Sequence, residues 1–254
     1  MTAKEVAVSG NYLRVARGLG TFAALLTLFG WAVGPIVLVL LGRVKSAPPG
    51  SYDEAWDAPS HEGALRFLRF IHDPVSGWVL VHVFFLAGSL SMTLLPAFFW
   101  SLLAPRDALA VPALSGATLG GSLAFLAVVF DLYGTPILAR VAVTDPDPQR
   151  RHSAWLVWRY VEQWRERSFK SLSLGLTGLW MIWLWLALPS ASVGDFWDGL
   201  LRWVSLVGGL VLLFLGTTQA LRTRWLGQRG SVGGLMMMLT VVAWAGAAAL
   251  WFAV

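Results

Sequence analysis

Apolar residues fall into six long runs separated by shorter polar stretches. Residues 18–42 carry no charge, and a bilayer takes roughly 20 residues to cross, so this run predicts a membrane span. Runs over about 76–103, 109–139, 171–189, 203–221 and 231–254 predict five more. Pro35 and Pro96 fall inside the first two spans and predict kinks there.

Two of the polar stretches carry a helical period. Over 61–72, Leu65, Leu68 and Ile71 share one side, with Glu62, Arg66 and Arg69 opposite. Over 149–170, Trp155, Trp158, Val161 and Trp164 are read as one face, and Arg159, Glu162, Glu166 and Lys170 as the other. Both stretches predict amphipathic helices at the membrane surface. The second is expected to run into the fourth span and to turn interfacial Trp155, Trp158 and Trp164 towards the bilayer. Turn signals close the map: Pro48–Pro49–Gly50, residues 104–107 around Pro105, and the run Asp145, Pro146, Asp147, Pro148. A basic hairpin with Arg222, Arg224 and Arg229 follows the fifth span. The predicted fold class is all-α: one polytopic transmembrane bundle over 1–254, with six transmembrane helices and two interfacial amphipathic helices.

Composition agrees with the pattern. The chain is 57% apolar and 13% charged, with mean hydropathy +0.66. A soluble domain carries about 25% charged residues. There is no cysteine, which removes disulfides, thiolate nucleophiles and Cys-ligated metals. The net charge of +5 suits loops beside anionic lipid headgroups better than nucleic acid. Residues 1–17 lead directly into a long apolar run with no small-residue cleavage site, so they do not read as a cleavable signal.

Against this apolar background, two ionisable residues inside predicted spans stand out, His82 and Asp131. The second and third spans are joined by a short turn and must run antiparallel. His82 lies nine residues past Asp73, and Asp131 nine before Arg140. At 1.5 Å per residue both sit roughly 13 Å inside their flanking charges, so a meeting is expected. Gly116, Gly120, Ala124, Ala127 and Asp131 follow one another at helical spacing, a stripe of small residues that marks contact between helices. His82 heads a second polar stripe with Ser89 and Thr93. Tyr133, Thr217, Thr218 and Gln219 fall on the same side of the membrane. Tyr133 is a candidate for the site or a plain interface anchor, and Gln219 is more simply a helix-end residue. A charge at this depth costs about 2.5–3.5 kcal/mol unless paired, and marks a candidate site. A buried His–Asp pair without a third ionisable partner equally fits a tie between helices.

Other chemistry finds no support. His82 is the one histidine within a predicted span, so a haem lacks its second ligand, and no zinc-type spacing occurs. No P-loop and no Gly-x-Ser-x-Gly turn is present. No metal, cofactor or nucleic acid is expected. The expected partners are membrane lipids and other membrane subunits. Of the Lys and Arg residues, 14 lie in 43–73, 140–170 and 222–230, and five on the other side. The positive-inside rule then places those loops in the cytoplasm, although Arg14 and Arg17 favour the opposite insertion.

The order Asp73, Pro74, Trp78, His82, Gly88, then a Gly/Ala-rich span ending in Asp131 and Gly134, then an amphipathic helix, resembles uncharacterised six-span bacterial membrane proteins of the DUF4386-like type. The resemblance covers residues 15–190. It implies a six-span fold in a bacterial inner membrane and supplies no catalytic residue. The function expected is non-catalytic: binding a lipid or small hydrophobic molecule, or serving as a membrane subunit of a larger complex. The rivals are a proton-coupled transporter using Asp131 and His82, and a membrane-embedded enzyme with His82 as base.

Overall fold

A computed structural model describes residues 3–44, 61–72, 75–103, 109–188, 196–221 and 230–254. The turns at Pro48–Pro49–Gly50 and 104–107, and the hairpin of Arg222, Arg224 and Arg229, lie outside the described residues. The described chain is helical. In order it forms α1 (Ala3–Val44), α2 (His61–His72), α3 (Val75–Leu103), α4 (Ala110–Val129), α5 (Thr135–Thr144), α6 (Pro148–Trp164), α7 (Ser171–Ala187), α8 (Phe196–Ala220) and α9 (Gly230–Ala253). Two π-helical turns interrupt it, Phe130–Gly134 between α4 and α5, and Arg165–Lys170 between α6 and α7.

Six helices are long and apolar enough to cross a membrane: Gly10–Val37, Gly77–Leu103, Ala110–Thr144, Ser168–Ala187, Phe196–Ala220 and Gly233–Ala253. The chain is therefore a multi-pass membrane helix bundle. Neighbours in sequence pack as neighbours in space, α1 on α3, α3 on α4, α4 on α7, α7 on α8 and α8 on α9, and α9 returns to α1 to close a ring. Large side chains fill its middle: Phe99, Trp180, Trp244 and Phe252 are buried together, with ring centroids 4.6–6.0 Å apart.

The helices outrun two of the expected boundaries. α1 takes in much of the polar head before residue 18. α8 starts at Phe196 rather than near 203, because the charges of its first turns find partners. Asp198 accepts a hydrogen bond from the Trp251 indole at 2.5 Å. Arg202 donates Nε to the Trp185 carbonyl at 3.1 Å and lies over the Trp185 ring.

The remaining helices, α2, α5 and α6, form a cap at one end of the ring. α5 and α6 are a hairpin around the expected Asp–Pro turn, where Asp147 accepts from the Gln149 backbone N–H at 2.8 Å and caps α6. α2 packs on α5. Phe67, Leu68 and Ile71 of α2, Ala139 and Ala142 of α5, and Ala154, Trp155 and Trp158 of α6 are buried in one apolar core that also takes in Trp78 of α3. The apolar faces expected on the membrane surface are thus spent largely on protein, because burying them against one another removes them from water just as well.

A candidate site where four ionisable side chains meet

The small-residue stripe of α4 packs against α7: a Cβ placed on Gly120 would lie 3.2 Å from Leu176 Cβ and 3.2 Å from the Ser173 carbonyl. That packing carries Asp131, at the end of the stripe, to the foot of α7, where the second π-turn begins with Arg165. Asp131 Oδ2 accepts from Arg165 Nη1 at 2.6 Å. The other two guanidinium nitrogens grip Glu162 as a fork, with Nε donating to Oε2 at 2.8 Å and Nη2 to Oε1. Such a two-pronged, charge-assisted contact is among the stronger hydrogen-bonded arrangements a protein makes. Every nitrogen of Arg165 is thereby held by a carboxylate.

His82 reaches the same carboxylate from α3. Its Nε2 lies 3.6 Å from Asp131 Oδ2, an ion-pair contact just beyond a direct hydrogen bond. Its Nδ1 is 2.8 Å from the Trp78 carbonyl. A carbonyl only accepts, so Nδ1 carries a hydrogen and Nε2 is the atom that gains or loses one beside Asp131. The Trp78 ring leans on the imidazole at 4.1 Å, and its indole N–H donates to the Asp131 carbonyl at 2.7 Å. Thr135 adds a long hydrogen bond to Asp131 Oδ1 at 3.3 Å. His82, Asp131, Glu162 and Arg165 are all buried.

The meeting of His82 and Asp131 is as their equal depth predicts. The idea of an isolated pair is not: Arg165 and Glu162 complete the site, and Lys170 adds positive charge nearby. Glu162 was expected on a solvated face and Arg165 was not expected in the site at all. Their burial follows from helix geometry. At about 100° per residue, Trp155, Trp158, Glu162 and Arg165 share one face, whereas steps of three drift until Trp164 stands about 180° from Trp155. The structure accordingly buries Trp155 and Trp158 in the cap core, not against the bilayer, and leaves Trp164 56% exposed with Val157 and Tyr160 on the outer face.

The other candidates stand apart from this centre. Tyr133 is 64% exposed and continues the outward row of Leu119 and Leu126. Gln219 is half-buried near the end of α8, a helix that packs on the second π-turn. Thr218 donates to the Leu215 carbonyl of its own helix. Thr93 likewise bonds the Ser89 carbonyl, and Ser91 that of Ala87, so these hydroxyls are used locally.

Chemically, the cluster holds two carboxylates, one guanidinium and one imidazole in apolar surroundings. With a neutral imidazole it keeps one negative charge in excess, which a proton on His82 or the nearby Lys170 offsets. Among the described residues no three of His, Asp and Glu converge as metal ligands would. Comparison with family models, curated proteins and solved structures finds no match to this chain.

Proposed function

We propose that this multi-pass membrane protein is non-catalytic and works by contact with lipid or as a membrane subunit of a larger assembly. The observation that supports this reading is the bonding of Arg165 to two carboxylates. A guanidinium is the group here best suited to hold a substrate oxyanion, and all three of its nitrogens already bind Glu162 and Asp131. Drawing Arg165 away to a substrate oxyanion would leave two buried carboxylates without their partner, which is costly. Lipid contact is supported by the outer face of α6. Val157, Tyr160 and Trp164 are exposed there, Arg150 lies on the same helical row, and exposed Arg151 is beside it. Aromatic rings with basic residues are what an anionic headgroup layer takes up. A bacterial inner membrane, cytoplasmic placement of the loops 43–73, 140–170 and 222–230, and kinship with DUF4386-like proteins belong to the same proposal.

Native mass spectrometry of protein released from bilayers of mixed neutral and anionic phospholipid tests it. Retained anionic lipid, reduced in a Tyr160→Ala/Trp164→Ala double variant, is the expected result. Equal retention of neutral and anionic lipid in both proteins would overturn the lipid reading. One observation favours a proton-coupled transporter as a second reading: His82 Nε2 faces Asp131 Oδ2 at 3.6 Å, so a proton has two neighbouring sites. Proteoliposomes under an imposed pH gradient distinguish the two. Proton uptake present in the native protein and lost in Asp131→Asn would replace the first reading with the second.

A further inference from the structure

Besides the step from α2 into α3, the cap is continuous with the bundle through the two π-turns. The first carries α4 into α5, and the second carries α6 into α7. A π-turn widens the helix by one residue and interrupts the regular ladder; such turns are places where helices bend, and they recur at functional positions. Here both lie at the same junction, and one ion pair ties them together. Asp131 is the second residue of the first turn and Arg165 the first residue of the second, 2.6 Å apart. Glu162 locks Arg165 from the cap side. Trp78 and His82 hold the first turn from the bundle side, through the Asp131 carbonyl and carboxylate. The cap, meanwhile, has an apolar core in Phe67, Leu68, Ile71, Trp155 and Trp158, which does not depend on the charges and packs at its edge on Trp78 of α3.

We propose that α2, α5 and α6 move as one body about the paired π-turns, and that the Asp131–Arg165 ion pair is the latch that holds this body closed on the bundle. The contact joins the two turns, so breaking one pair loosens both, while Trp78 of α3 keeps its apolar contact with the cap core. The proposal does not depend on whether the protein is a lipid-binding subunit or a transporter.

The chain has no cysteine, so pairs of spin labels can be placed at will. One pair, Tyr160→Cys and Ala220→Cys, spans from the outer face of α6 to the exposed end of α8 at the cap side of the ring, where Gly216 packs against the Ser171 carbonyl. A control pair, Leu179→Cys and Leu210→Cys, sits on exposed positions of α7 and α8 inside the bundle. Distances are read by pulsed electron paramagnetic resonance on the full chain in lipid nanodiscs. The latch predicts one narrow distribution for the first pair in the native background and a second, longer population in Asp131→Ala, with the control pair unchanged. An unchanged first pair, or broadening of both pairs together, overturns it. If Asp131→Ala loses its helical signal, Asp131→Asn decides instead. It keeps the shape and a neutral hydrogen bond to Arg165 but not the ion pair, so it should show the longer population, and a distribution superimposed on the native one overturns the latch.

Discussion

Arg165→Leu should be the most damaging single substitution in the cluster. It leaves Asp131 and Glu162 as neighbouring carboxylates in an apolar setting, and removing one partner of a buried ion pair costs about 3–5 kcal/mol. Arg165→Lys keeps the charge but not the planar fork that grips Glu162 and Asp131 together, and hydrogen bonds to charged groups contribute about 1.5–3 kcal/mol each. Thermal melting in detergent should therefore rank native above Lys and Lys above Leu; a Leu variant that melts with the native protein would remove the cluster from the account of stability. Half of this site was legible in the chain. His82 and Asp131 could be found because charges inside apolar runs are conspicuous and their depth follows from counting residues. Arg165 and Glu162 were hidden because they lie in a stretch rich in charge, where only the seam through Trp155 and Trp158, followed at 3.6 residues per turn, separates a buried charge from a solvated one.

Between elements, the sign of a substitution depends on backbone proximity that residue type alone does not reveal. Gly178 and Gly209 meet where α7 crosses α8: a Cβ on Gly178 would lie 2.7 Å from the Gly209 carbonyl oxygen, and a Cβ on Gly209 2.7 Å from that of Gly178. Backbone cannot swing aside as a flexible side chain does, so Gly178→Ala should push the helices apart and destabilise by about 1–3 kcal/mol, as overpacked cores do. Gly175, one turn away on the same helix, has open space around its Cβ position. Gly175→Ala should therefore stabilise by about 0.5–1 kcal/mol, the cost of glycine relative to alanine within a helix. Unfolding midpoints that move in opposite directions are the expected result; a shared direction would contradict the crossing. The same distinction separates two glycine pairs of identical spelling, Gly120–Gly121 in α4 and Gly233–Gly234 in α9. Gly121 sits with its Cβ position 2.8 Å from Thr93 Cα, whereas Gly233 meets only Leu215 at 3.9 Å and Gly234 nothing within 4 Å. Small pairs of the same spelling thus serve close packing in one helix and not in the other.

At the scale of the molecule, the six apolar runs were legible because crossing hydrocarbon demands only length and hydrophobicity. The closed ring and the cap were not, since they depend on which faces meet. The ring fixes the ends relative to one another. Tyr12 near the start of α1 donates to Ser101 at the end of α3, at 3.2 Å, and Phe252 near the end of α9 packs against Gly20. Both ends of the described chain thus lie away from the cap, which joins the opposite end of α3 beside Trp78. The positive-inside rule acts on the loops as the chain inserts, and 14 of the 19 Lys and Arg residues fall in the sequence stretches 43–73, 140–170 and 222–230, the second of which contains α6 of the cap, so the cap is predicted to face the cytoplasm. Arg14 and Arg17 pull the other way but are outnumbered. A chain without native cysteine makes the test direct. Ser153→Cys places a thiol on the exposed side of α6, and Val254→Cys places one on an exposed residue at the other end of the ring. In spheroplasts, a membrane-impermeant maleimide should label Val254→Cys and spare Ser153→Cys, and should label both once the membrane is opened. The reverse pattern would invert the orientation and return weight to Arg14 and Arg17. Labelling of both sites in sealed spheroplasts would put the cap and the end of α9 on one side of the membrane, which a ring of six alternating spans does not allow.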